Sequence, residues 1–128
     1  MITGSHTLDP EEFAKAWIDA WNRRDIDVLV SHYTLDVRFV SPVAAQRTGS
    51  SIVNGREALK AYWSGAHQYG KFVFTFESLA WDPQRRVLII IYRRIVDERH
   101  DRAVEIFHFG SDGLVHSGEA LYGAKLTS

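Results

Sequence analysis

The chain contains no cysteine, which removes disulfide bonds, thiolate nucleophiles and thiolate metal sites together. It also lacks an excess of charge of one sign. Fifteen Lys and Arg stand against sixteen Asp and Glu, a formal charge of -1, so nothing in the total favours a polyanionic partner, and nucleic acid is not expected as one. Apolar runs are short: the longest, residues 87–92, falls far below the ~20 residues that a membrane helix needs. The amino terminus, Met1-Ile2-Thr3-Gly4-Ser5-His6, has neither the basic flank nor the apolar stretch of a secretory signal. No membrane partner is expected, and the cytoplasm is the expected compartment. Internal repeats, low-complexity tracts and linker-like shifts of composition are missing too.

What is present suits one folded unit. At 128 residues and 14.6 kDa, with 45% hydrophobic and 24% charged residues, the chain is expected to form a single domain over residues 1–128, with residues 1–8 flexible. Asp9-Pro10-Glu11-Glu12 supplies a capping residue, a proline at the first helical position and acids in the first turn. Phe13, Trp17 and Trp21 then repeat on one face, predicting a helix over residues 10–22. Asp25 can cap a second helix carrying Ile26, Leu29, Val30 and Tyr33. Asn54 and Glu57 resemble a capping box before a third, with Leu59, Tyr62 and Trp63 as its buried stripe. Residues 36–42 alternate and end in proline, which predicts a strand.

The second half changes period. Phe72, Phe74 and Phe76 share a strand face, and Trp81-Asp82-Pro83 ends that strand. Residues 86–96 are apolar at nearly every position, as in a central strand covered on both faces. Residues 102–109 and 114–122 form a last hairpin across Gly110-Ser111-Asp112-Gly113. Helices gathered early and long strands late predict the α+β class, a strongly curved, mostly antiparallel sheet wrapped around three N-terminal helices.

The order Phe13-x-x-x-Trp17-x-x-x-Trp21-Asn22-x-x-Asp25-x-Asp27-x-Leu29, Tyr33, Asp36-Val37-x-Phe39-x-Ser41-Pro42 and Gly55-Arg56-Glu57-Ala58-Leu59, followed by four late strands, resembles the nuclear transport factor 2-like superfamily and its SnoaL-like branch. The resemblance runs from about Asp9 to Gly123. It implies a cone-shaped half-barrel with a pocket at its wide end, and a homodimer pairing outer sheet faces. Among its members are ketosteroid isomerase, polyketide cyclases, limonene-epoxide hydrolase and scytalone dehydratase, beside proteins that only bind or associate, so fold alone does not choose a function.

An inward carboxyl in such a pocket is desolvated, pushed toward its neutral form, and able to donate a proton near neutral pH. Alternation puts Glu105 on one face with Ala103, Phe107 and Phe109. Glu105-Ile106-Phe107-His108-Phe109 resembles the ketosteroid isomerase strand that opens with an oxyanion-hole acid. The structural alternative is a glutamate in solvent or paired with an arginine. Ketosteroid isomerase itself is rejected. Its general base precedes the proline where this chain has Ser41-Pro42, and its two phenols correspond to Trp17 and Trp63, whose indoles donate but do not transfer protons.

The last hairpin has two registers. A plain three-residue turn sets His108 opposite His116 and Glu105 opposite Glu119. A bulged strand, which the resemblance at Ala120-Leu121-Tyr122-Gly123 implies and which is preferred here, turns His116, Gly118, Ala120 and Tyr122 inward. Glu105, His116 and Tyr122 are then the candidate catalytic set. Trp17, Tyr33, Phe39, Ser41, Trp63, Leu88, Tyr92 and Phe107 form the candidate substrate-binding set, although core packing is the favoured reading of the two tryptophans. Arg94 shares the face of Tyr92 and can hold a carboxylate or pair with Glu105. Otherwise the arginine runs, and Asp97-Glu98-Arg99-His100-Asp101, read as solvated edges and a charged hairpin tip. The Asp-Arg-Asp set of limonene-epoxide hydrolase is not expected, since no Asp is read at the corresponding inward positions. No His spacing suits a metal and no glycine-rich phosphate loop is present, so neither metal nor cofactor is expected. Two functions remain. One is a cofactor-free isomerase, cyclase or lyase acting on a small apolar metabolite, and the other is a non-catalytic binding or association module.

Overall fold

The computed structural model describes residues 8–65 and 71–126; the expectation for the first seven residues lies outside them, while Leu8 packs against the core. Asp9 accepts from the Glu12 amide at 3.0 Å and opens α1, Pro10–Arg23. Asp25 accepts from the Val28 amide and opens α2, Ile26–Ser31. Tyr33, expected on the second helix, instead begins β1, Tyr33–Val40. A fourth helix corrects the expectation of three. The Ser41 hydroxyl accepts from the amides of Val43 and Ala44 and opens α3, Pro42–Thr48. Then come β2, Ile52–Asn54, and α4, Arg56–Ser64. The capping box at Asn54 does not form: Gly55, at φ +92°, occupies the cap with no side-chain bond. Only a residue that tolerates positive φ suits that turn.

The strands β3, Phe72–Asp82; β4, Val87–Val96; β5, Arg99–Phe109; and β6, Val115–Lys125, complete one curved, open, six-stranded sheet in the order β2-β1-β6-β5-β4-β3. The β1–β6 pair is parallel and the others antiparallel. Helix α1 fills the concave face. Phe13 meets Phe107 and Phe109 edge-on at 5.2 and 5.0 Å, and Trp17 meets Tyr92 and Phe107 at 5.4 and 5.3 Å. Its C-terminal end is fastened to the sheet edge: Asn22 exchanges two hydrogen bonds with the backbone of Phe74, and Arg24 donates to the Phe72 carbonyl at 2.7 Å. Asn22 thus serves the edge strand as a neighbouring strand would. On β4, Leu88, Ile90 and Tyr92 are buried inward, whereas Val87, Ile89, Ile91 and Ile95 on the outer face are only half-buried.

The last hairpin is bulged, but at a different residue from the one the bulged register requires. Phe109 pairs with Val115 and His108 with Ser117, leaving His116 as the extra residue. Gly118, Ala120 and Tyr122 face inward and Glu119 outward, opposite Ile106. His116 is thrown outside, with a half-exposed side chain 3.3 Å from the Asp112 carboxylate. No described helix is long and apolar enough to cross a membrane.

The two capping assignments separate in a denaturation experiment. Ser41→Ala is expected to lower unfolding free energy by about 1 kcal/mol, the usual cost of losing a cap. The exposed Asn54→Ala change should stay within about 0.5 kcal/mol. Urea titrations followed by tryptophan fluorescence measure both.

Candidate active site

The helices and the inward faces of β3 to β6 leave a cavity of about 110 Å³ beside the aromatic core. Its wall combines Trp17 and Trp21 from α1, Phe39 from β1, Tyr62 and Trp63 from α4, Phe72 and Phe74 from β3, and Tyr92, Arg94, Glu105 and Tyr122 from the remaining strands. Half-buried Val43 and Arg47 from α3, with Val96, complete it. This is a hollow for a small organic molecule rather than for one or two waters.

Glu105 is 3% exposed and is the one acid lining this cavity among the described residues. Burial pushes its pKa well above the ordinary carboxyl range; a hydrogen bond with Tyr92 and the charge of Arg94 oppose the rise without cancelling it. Desolvation dominates because no cation is bound to the carboxyl. The cation whose charge acts on it, Arg94, is held by Asp101. Its Nε and Nη2 donate to the two carboxylate oxygens at 2.8 Å each, and Asp101 is 1% exposed. The Arg94 guanidinium also lies 3.9 Å over the Tyr122 ring. Burial works against the Arg94 charge, but the bonds to Asp101 and the neighbouring phenol hold its pKa above the usual value. The expectation that Asp101 sits at a solvated hairpin tip is therefore corrected. The turn is confined to Asp97-Glu98, so Val96 faces Arg99 and Arg94 faces Asp101 across the strands. Counting back from a two-residue turn recovers this pair from sequence.

The expected site residues divide between the cavity wall and its support. Trp17, Phe39, Trp63, Tyr92, Glu105 and Tyr122 meet at the cavity. Tyr33 does not line it. It is fully buried behind the wall, where its hydroxyl accepts from Trp17 Nε1 at 3.2 Å, so that indole is already engaged. Leu88 and Phe107 belong to the core alone, the latter wedged between Phe13 and Trp17. Ser41 is the α3 cap rather than part of the wall. His116 is not at the site. Burial raises the pKa of Tyr62, Tyr92 and Tyr122, so these phenols remain neutral donors. Among the described residues no group of three His, Asp or Glu is placed to hold a metal ion.

The sequence reading missed several wall residues: Trp21, Phe72 and Phe74, which it used as core, and Val43 and Arg47, which belong to the helix it did not foresee. Trp21 carries a buried indole N–H that has no hydrogen-bond partner among the described residues. Every polar side chain reaching the cavity is thus a donor or a donor in its neutral form, an arrangement that favours an oxygen acceptor.

The model for the SnoaL-like domain matches residues 14–117. A solved SnoaL-like protein of unknown function from Burkholderia thailandensis E264 is 32% identical, covering 90% of this chain and 94% of its own, with a TM-score of 0.80. A structure from Kribbella flavida DSM 17836, provisionally called a ketosteroid isomerase, is 17% identical over 98% of this chain and 86% of its own, with a TM-score of 0.75. An NTF2-like protein of unknown function from Cytophaga hutchinsonii ATCC 33406 is 13% identical over 92% and 93%, with a TM-score of 0.69. No curated protein matches the sequence.

The raised pKa of Glu105 has a signed consequence for stability. Unfolding releases the carboxyl to an ordinary value near ~4.3, so above that pH the unfolded state holds fewer protons and stability falls by up to ~1.4 kcal/mol per pH unit. The decline ends once pH passes the folded-state pKa. Glu105→Gln is neutral in both states, so its stability relative to the wild type should be lowest below about pH 4. It should climb as pH rises, as read by denaturant unfolding at successive pH values.

Proposed function

This chain belongs to the SnoaL-like domain family, and on that premise we propose that it binds a small, mostly apolar metabolite bearing a carbonyl or related oxygen and activates it by hydrogen bonding from Glu105, without a cofactor. The observation that carries this proposal is the placement of a buried, cation-free acid on the wall of an aromatic cavity. The aromatic wall suits a flat apolar body, while Glu105 offers its proton to the oxygen. As negative charge builds on that oxygen, a fixed donor in a water-poor site stabilises it far better than water does. The reactions this serves are those that begin by polarising a carbonyl: shift of a double bond, ring closure or loss of water. Tyr92, Tyr122 and the Arg94 guanidinium share the cavity wall with the carboxyl.

A second reading, ligand binding without turnover, draws on one observation. The Ser41 hydroxyl is spent capping α3, and no other acid lines the cavity among the described residues, so no ionised base faces the ligand. A thermal-shift screen of ketones, lactones and polyketides finds the ligand, because a binder specific to the folded state raises apparent stability by mass action. With an identified substrate, Glu105→Gln replaces an acidic O–H donor by a much weaker amide N–H donor, so binding is expected to persist while stabilisation of the developing negative charge is lost and turnover falls roughly 100-fold to 1,000-fold. Full turnover in Glu105→Gln overturns the catalytic role. Binding retained undiminished in Glu105→Leu overturns the site itself.

We also propose that two copies pair through the outer sheet face. Ile91, Val104 and Leu121 stand abreast on adjacent strands, outside the core, with Leu121 43% exposed. A contiguous apolar stripe of this kind favours association. Light scattering should give a dimer for the wild type and a folded monomer for Val104→Glu; a wild-type monomer contradicts the pairing.

A further inference from the structure

The structure presents two acids on the inner face of β5, Asp101 and Glu105, and one cation on β4, Arg94. The register sets Arg94 directly opposite Asp101, Tyr92 opposite Ala103, and Ile90 opposite Glu105. The only residue between the two acids on that face is Ala103, fully buried and too small to screen one from the other. Four residues of strand separate the two acids by roughly 14 Å, and the charge of Arg94 acts on Glu105 across that gap. We propose that Asp101 is a positioning residue for Glu105: by gripping the Arg94 guanidinium with both carboxylate oxygens, it keeps that cation from pairing with the acid that faces the cavity.

Three observations support this placement. The grip is bidentate, at 2.8 Å for both contacts, the geometry in which a guanidinium is most firmly oriented. Tyr122, paired with Ala103 across β5 and β6, lies beneath the guanidinium at 3.9 Å and supports it from the far side. Asp101 is itself buried, with Arg99 Nε 3.7 Å away as a second, exposed cation, so its charge is tied down on both sides. Removing one partner of such a pair leaves the other charge buried and unmatched. For Arg94 the nearest remaining acid on the same inner face is then Glu105. The other titratable groups around Glu105 are phenols: Tyr33 from β1, Tyr62 from α4, Tyr92 from β4 and Tyr122 from β6. None of them carries a positive charge, and of the two arginines on the cavity wall, Arg47 on α3 and Arg94 on β4, it is Arg94 whose charge acts on Glu105.

This inference rests on the role given to Glu105 above, and infrared spectroscopy separates the two. At neutral pH the wild type is expected to show the carbonyl stretch of a protonated carboxylic acid, assigned by its disappearance in Glu105→Gln. Asp101→Asn should lose that band in the folded protein, and Asp101→Ser, a second removal of the same charge with less bulk, should lose it too. The double variant Arg94→Gln/Asp101→Asn should regain it, because the guanidinium that Asp101 had held is gone. A purely structural role for Asp101 changes stability but leaves the band in place, so its full retention in folded Asp101→Asn or Asp101→Ser overturns the inference while leaving the donor role of Glu105 standing. Absence of the band in the wild type overturns that donor role instead.

Discussion

The site depends on a carboxyl group buried away from any cation bound to it. Transfer of an ionised carboxylate out of water is costly enough that the group keeps its proton unless a positive charge meets it. Glu105 has a neighbouring arginine, yet that arginine is bound to Asp101 in two short hydrogen bonds. The same residues in another pairing would give an inert internal salt bridge. Here the pairing leaves a buried acid without a bound cation on a cavity wall, where desolvation favours its neutral form.

The architecture creates this situation and bears its cost. Inward side chains of β4, β5 and β6 form one surface, and the aromatic residues of α1, α4 and β3 close over it while leaving the hollow unfilled. Trp17 is held by Tyr33, and α1 is held to the edge strand by Asn22 and Arg24. Burial of a group that favours ionisation in the unfolded chain weakens the fold as pH rises, and the extensive edge-on aromatic packing around α1 offsets it.

Much of this was legible in the sequence. Asp9-Pro10 and Asp25 announce their helices by capping chemistry, and the apolar period marks the faces of α1 and β4. Ser41-Pro42 carries the same signature as Asp9-Pro10, a capping side chain followed by proline at the first helical position. The alternating stretch before it led to its being read as a strand end, which hid α3 and with it Val43 and Arg47. The inward placement of Glu105 follows from alternation along β5, and its resemblance to an oxyanion-hole acid named the same residue. His116 was misplaced because it is itself the bulged residue: the extra residue falls between Val115 and Ser117, so Gly118, Ala120 and Tyr122 keep the expected face while His116 leaves it. Asp101 escaped notice because a string of charges reads as solvated until the turn within it is located. Sequence order does not reveal that one of five polar residues in a row lies on the inner face.

The claim that Glu105 is held neutral at the cavity is tested most directly by carbon-13 NMR of the side-chain carboxyl across a pH titration of the wild-type protein, with assignment by substitution. The account predicts a carboxyl that remains protonated at neutral pH and titrates well above the ordinary range. A midpoint near ~4.3, the value of a solvated glutamate, would contradict it.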